Sequence, residues 1–281
     1  MSRARVAIAG LLVAGAAAYG APTQSPVTVP IELVNNFPVL KISVGDQSVA
    51  VMFDLGGSDE IVLTSDALRS LKVERLTETY AWLDAMGNRL ESQKLRIPEM
   101  RIGSLTFRGV TGHEDAEAAT YRKTPGGAGY IGPALARSFK LVVDYGRRSM
   151  TFIPNDIKNP KAHGCFGTKI PFDPDMHGEP ITKVKSDLGE HRFVWDTGAP
   201  MMIVRKSIVS ASGVVPDGNF FQSKQFKLGR TDFGPMQLHM FDFGEPAEVD
   251  GYIGYDFFAK NVVCIDMRGR RFLVHPARGG L

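Results

Sequence analysis

The chain contains the same run of sequence twice. Residues 129–154, GYIGPALARSFKLVVDYGRRSMTFIP, align without a gap onto residues 251–276, GYIGYDFFAKNVVCIDMRGRRFLVHP, at an offset of 122 positions. Gly-Tyr-Ile-Gly recurs, and Asp144, Arg148 and Pro154 match Asp266, Arg270 and Pro276. Upstream, MRIGSLTFRGV (Met100–Val110) is similar to FKLGRTDFGPM (Phe226–Met236). Earlier still, VTVPIELVNNFPVLKISVGDQSVAVMFDLGGSDEIVL parallels TKIPFDPDMHGEPITKVKSDLGEHRFVWDTGAPMMIV; Pro30 to Asp54 spans 24 residues and Pro171 to Asp196 spans 25. Elements that recur in one order define two homologous halves, 27–154 and 168–276, joined by a polar, turn-rich linker over 155–167. The first half is longer: Asp54 to Gly132 is 78 residues, Asp196 to Gly254 only 58. The excess falls around TETYAWLDAMGNRLESQKLRIP, a candidate for a larger hairpin over one side of a cleft.

Within each half, short apolar or alternating runs such as PVLKISV, QSVAVMFD, EIVLT and LRIPEMRIG lie between Gly, Asp, Asn or Pro, which predicts strands. GDQS, DLGE and AMGN read as hairpin turns. TSDALRSLKV predicts one short helix with an Asp or Ser cap, and ALARSFK and YDFFAKN one or two helical turns each. The expectation is a mainly β protein of two homologous β-barrel-like lobes related by pseudo-twofold symmetry, with a few short helices.

The first half carries VMFDLGGSDEIVL where the second carries FVWDTGAPMMIV. Each sets an aspartate after apolar strand residues and before a glycine. One Asp-Thr-Gly alone is an ordinary turn. Two similar lobes packed about a twofold axis, however, bring equivalent loops together, so Asp54 and Asp196 would meet. Two carboxylates that close do not both ionise readily; they share a proton and divide into one acid and one base. Such a pair can activate a water for attack on a peptide carbonyl without a metal or a covalent intermediate.

On these motifs the chain resembles the aspartic peptidases, the retropepsin-like and pepsin-like group, in a bacterial form with two fused retropepsin-like lobes. The matching residues are Asp54-Leu55-Gly56-Gly57, Asp196-Thr197-Gly198-Ala199, and the downstream Tyr130-Ile131-Gly132 and Tyr252-Ile253-Gly254. The resemblance implies an acid-protease fold with Asp54 and Asp196 as catalytic residues. It makes Leu55, Gly56, Gly57, Thr197, Gly198 and Ala199, with Ile131, Gly132, Ile253 and Gly254, the support of the active-site loops. Proton sharing is that family's property, carried over with the resemblance. The resemblance also implies an extended polypeptide substrate between the lobes, no cofactor or metal, and a β-hairpin flap, for which Trp82, Leu83 and Met86 are candidates. A monomer is expected.

One residue departs from the pattern. The family's residue after each Asp is usually Thr or Ser, whose hydroxyls bond across the lobe interface; Thr197 fits and Leu55 does not. Leucine breaks that network on one side, and an unsatisfied buried hydroxyl would cost up to about 3 kcal/mol. The alternative is therefore a weakened or inactive module that binds extended peptides without cutting them, or a purely structural shell. Gly57 replaces the usual small residue, and the nearby acids Asp59 and Glu60 are expected to face solvent.

The chain starts with MSRARVAIAGLLVAGAAAYGAPTQ, a basic start followed by an apolar run shorter than the ~20 residues of a membrane span. This predicts a signal peptide over residues 1–21 and an exported protein, periplasmic or secreted, with no stable membrane insertion after cleavage. A formal net charge of +3, with Arg3 and Arg5 in that leader, offers nothing for nucleic acid. Arg147–Arg148 and Arg270–Arg271 sit at equivalent turns, expected to be solvated. The six histidines lack HExxH spacing, and no Walker loop or serine nucleophile elbow occurs. In an oxidising compartment Cys165 and Cys264 could pair or stay as two free thiols, since a chain of 281 residues needs no bridge to hold its core.

Overall fold

The computed structural model describes residues 25–57, 59–83, 89–115, 127–175, 178–242 and 249–277. The expected leader and Met86 lie outside them, as does the AMGN turn.

Two halves become one molecule through a six-stranded sheet, in the order Val27–Pro30, Ser149–Pro154, Phe139–Asp144, Asn261–Asp266, Arg271–Pro276 and Thr168–Pro171. Each half gives three strands. At the centre Leu141 pairs with Ile265, Val142 with Cys264 and Val143 with Val263, antiparallel. The 122-residue offset turns Leu141 into Val263 and Val143 into Ile265, so the outer two pairs exchange. A twofold axis therefore passes through the Val142–Cys264 pair. Every residue of Asn261–Asp266 is buried, as is all of Phe139–Asp144 except Lys140, because these apolar strands are covered on both faces. Trp195 stacks on Phe272 with centroids 4.0 Å apart, which anchors the strand that delivers Asp196 in this core.

Outside this sheet each half closes its own β-structure. The strand entering each Asp motif, Gln47–Phe53 or Gly189–Trp195, runs parallel to the strand ending in Tyr-Ile, Gly127–Ile131 or Gly251–Ile253. The register is the same in both: Met52 with Tyr130 and Phe53 with Ile131, then Val194 with Tyr252 and Trp195 with Ile253. The longer first half spends its extra residues on a hairpin, Glu74–Leu83 against Arg89–Ile102, with Leu83 opposite Arg89. The molecule is mainly β, and its α-helices among the described residues, Ser65–Ser70, Lys206–Ala211 and Tyr255–Lys260, have six residues each. None of the described helices is long and apolar enough to cross a membrane.

Three expectations change in detail. The first helix is capped by Thr64, whose hydroxyl accepts from the Ala67 N–H at 3.3 Å, because Thr64 is the last extended residue and Ser65 already lies within the helix. The ALARSFK stretch forms successive tight turns rather than helix: Leu135 donates to the Gly132 carbonyl, Ala136 to Pro133 and Phe139 to Ala136, each three residues back. The paired arginines are not simply solvated. Arg271 holds the buried Asp266 at 2.9 Å, while Arg147 lies 3.8 Å from Asp144 and stays largely exposed. Asp144 and Asp266 earn their place in the repeat by accepting backbone N–H bonds from Arg147 and Gly269 across equivalent turns.

Cys165, in the linker, is disulfide-bonded to Cys264 on the twofold axis, closing a separation of 99 residues. Both sulfurs are buried with Val142, Ile153 and Val262. Constraining so long a loop restricts the unfolded chain strongly. Replacing both cysteines by alanine should lower the unfolding free energy by about 3–5 kcal/mol, read from urea melts of the oxidised protein and the double variant; an unchanged midpoint would show the bridge to be dispensable.

Candidate active site

Each Asp loop leaves its strand at the lobe interface and is braced from behind by the Tyr-Ile-Gly element. The Asp54 N–H donates to the Ile131 carbonyl at 3.0 Å and the Asp196 N–H to the Ile253 carbonyl at 3.1 Å. Gly132 and Gly254 follow these carbonyls where a Cβ would sit 2.2 Å from the Asp59 carbonyl oxygen and 2.0 Å from that of Met201, so glycine alone fits. The next glycines face the opposite lobe. A Cβ on Gly56 would lie 2.7 Å from the Asp196 carboxyl carbon, and one on Gly198 2.7 Å from Asp54 Oδ1. The Asp-x-Gly spacing thus lets each loop approach the other lobe's carboxylate closely enough for the two acids to hydrogen-bond directly. The fold brings Asp54 and Asp196 together, with Gly56, Gly57, Gly198 and Ala199 around them.

The interface below the acids rests on one hydroxyl. Thr197 Oγ1 accepts the Leu55 N–H at 2.9 Å and donates to the Phe53 carbonyl at 2.7 Å, both across the lobe boundary. Thr197 is 1 % exposed. The buried hydroxyl that a leucine threatened to strand is fully used, because its partners are main-chain groups and not a second side chain. Leu55 itself is completely buried in the core.

Electrostatically the pair is uneven. Asp54 is pushed well above the usual carboxylate range, first by desolvation, then by the Asp196 charge and by Glu179, against a single opposing N–H bond from Gly56. Asp196 is also raised by desolvation, but a hydrogen bond from Asp54 and the N–H groups of Gly198, Gly56 and Ala199 pull it back. Both residues remain half-buried at the lobe interface rather than sealed in. Gly198 N–H reaches Asp196 Oδ1 at 2.7 Å and Gly56 N–H reaches Asp54 Oδ1 at 3.0 Å.

Several neighbours escaped the sequence reading. Tyr145 is buried behind the pair, stacked on Tyr255 at 5.8 Å, and burial together with the Asp196 charge keeps its phenol protonated. Tyr130 and Tyr252, from the repeated motif, flank Asp54 and Asp196 and are likewise held neutral by burial and by those acids. Glu179 lies near enough to act on Asp54 and Tyr252. Asp59 and Glu60 do not simply face solvent. Glu60 accepts the Thr111 N–H at 2.7 Å and hydroxyl at 3.2 Å, and Asp59 Oδ1 lies 3.6 Å from the buried His113 Nδ1. The adjoining strand carries Thr111 and His113, and the two acids turn inward to them. Trp82 and Leu83 stand at the end of the long hairpin's first strand, and Met86 is beyond the described residues. Among the described residues no group of three His, Cys, Asp or Glu side chains could hold a metal ion.

Two measurements test this geometry. Thr197→Val keeps the shape but strands the Leu55 N–H and the Phe53 carbonyl, and should cost about 2–4 kcal/mol in a denaturant melt. The raised Asp54 binds its proton in the folded chain at pH values where the unfolded chain has released it, so its contribution to stability is present below about pH 3.8 and is lost as pH rises through the folded value. Asp54→Asn should therefore raise the melting temperature at neutral pH and lose that advantage toward pH 4; a pH-independent difference would contradict the assignment.

No family model matches the chain, and no curated protein matches it by sequence. Solved structures do. An aspartic proteinase from Irpex lacteus superposes with a TM-score of 0.64 at 11% identity, covering 90% of this chain and 98% of the other. Basic 7S globulin from soybean superposes at 0.58 and 10% identity, covering 88% and 94%. Matching over nearly the whole of both partners, with the strand pairing described above, establishes that the chain adopts the two-lobed pepsin-like fold.

Proposed function

We propose that the chain is an exported aspartic endopeptidase that hydrolyses peptide bonds with Asp54 and Asp196. The observation that carries this reading is the hydrogen-bonded carboxyl pair at the cleft floor, one acid from each lobe. The uneven donor set puts the shared proton on Asp54 and the negative charge on Asp196. In the forward step a water held between them attacks the carbonyl carbon. Asp196 takes the proton the water loses, and Asp54 gives its proton to the carbonyl oxygen, leaving a neutral gem-diol. Asp196 then protonates the amide nitrogen as the C–N bond breaks, and Asp54 recovers a proton from the diol. The extended substrate lies between the lobes with its backbone bonded to the cleft walls. The long hairpin of the first lobe is the flap, with Trp82 and Leu83 at the end of its first strand; Met86, the third flap candidate, lies outside the described residues. The leader over residues 1–21 directs the chain outside the cytoplasm, where Cys165 and Cys264 stay oxidised.

Leu55 costs the interface one side-chain bridge but neither carboxylate, and the remaining bridge from Thr197 favours a working pair over a relic. The test is proteolysis of an unfolded protein by the purified mature chain between pH 3 and 7, with Asp54→Asn and Asp196→Asn alongside. Each variant should lose at least ~1000-fold in kcat, since removing either acid removes the shared proton or its acceptor. Cleavage that survives in Asp196→Asn would rule out this chemistry. Peptide binding without turnover in the wild type would make the chain a binding module.

A further inference from the structure

The two Asp loops are near-equivalents, but the residues that face them are not. Val39 pairs with Met52, and the same register continued two residues sets Phe37 across from Asp54. Ile181 pairs with Val194, and continuing that register two residues sets Glu179 across from Asp196. Phe37 and Glu179 are thus twofold mates, one aromatic and one acidic, each half-buried at the cleft.

The first of the two hairpin tips that carry them reaches the other lobe. In the first lobe Asn36, in the left-handed region at φ 73°, donates from Nδ2 to the Pro200 carbonyl at 2.9 Å, in the second lobe's Asp loop. The same twofold carries Gly178 and Glu179 toward the first lobe's Asp54 loop. The second tip is held by its own bonds: Glu179 N–H donates to Asp175 Oδ1 at 2.8 Å, and Asp175 N–H to the Glu179 carbonyl at 3.0 Å. The charge of Glu179 acts on the acid pair and on the tyrosine of the repeated motif, raising both Asp54 and Tyr252.

We propose that Glu179 makes the cleft select polypeptides carrying a lysine or arginine beside the bond to be cut. This rests on the endopeptidase reading above and names its substrate class. The charges that face this point support it. The proton-sharing pair contributes one negative charge and Glu179 a second, while Arg205, whose Nη2 donates to the Val249 carbonyl at 3.0 Å, contributes one positive charge. The balance is one net negative charge, in a half-buried setting where it is screened less than on an open surface. A cationic side chain entering here meets a complementary field, and an acidic one is repelled. The twofold-related position, beside Phe37, takes an apolar side chain instead.

The experiment compares kcat/KM for peptide series in which each position around the scissile bond is Lys, its uncharged analogue norleucine, or Glu. The wild type should prefer Lys over norleucine about tenfold at one position. Glu179→Gln should bring that ratio near one, Glu179→Asp should keep it above one, and Glu179→Lys should invert it toward Glu. Thermal melts verify that each variant is folded. An equal ratio in all four proteins overturns the proposal. The same peptides are titrated by fluorescence anisotropy onto Asp196→Asn with and without Glu179→Gln. A Lys preference in binding that depends on Glu179, with no turnover by the wild type, keeps the role of Glu179 and removes the endopeptidase reading. Turnover with no Lys preference does the reverse.

Discussion

The antiparallel pairing of Phe139–Asp144 with Asn261–Asp266 is the contact on which the site depends. It is the joint between two halves whose buried apolar residues form one continuous core, and its register places the twofold axis through Val142 and Cys264. Everything above it follows from that axis. Loops equivalent in sequence become neighbours in space, and two acids in different halves are brought together, each carboxyl held above its usual range. A slip of one residue in this ladder would move the axis off the Val142–Cys264 pair and exchange the two covered faces of the strands it joins.

The Asp-x-Gly geometry is the second requirement. Carboxyls do not approach each other willingly, and desolvation makes their charges costlier still. The fold holds them together with main-chain donors, the Gly198 N–H to Asp196 at 2.7 Å and the Gly56 N–H to Asp54 at 3.0 Å, and lifts Asp54 the further of the two. That imbalance follows from local loop geometry rather than from the identities of the acids, which are the same.

Much of this was legible in the sequence, because a duplication is visible without any physics and its symmetry carries over into the fold. The gapless match of 129–154 with 251–276 announced the shared sheet, and paired Asp motifs announced the meeting of Asp54 with Asp196. Less legible were features that depend on what lies across a strand. Glu60 and Asp59 looked like surface acids because the strand carrying Thr111 and His113 is fifty residues away in the chain. Glu179 was hidden for the opposite reason: it sits in the aligned repeat, opposite Phe37, but only the strand register shows that this position faces the acids. Tyr145 aligns with Met267, so symmetry gave no warning of a phenol beneath the site. Leu55 looked like a broken network only because the bridge was imagined as joining two side chains.

That bridge has an implication for how such a molecule could arise. In an assembly of two identical polypeptides, any replacement at the position after the acid is made twice, and leucine there would abolish both tethers at once. Joining the copies in one gene uncouples them. One copy keeps the threonine that ties the interface, and its sister is released to become a packing residue, so the Leu55–Thr197 mismatch is a mark that covalent fusion leaves and self-association cannot.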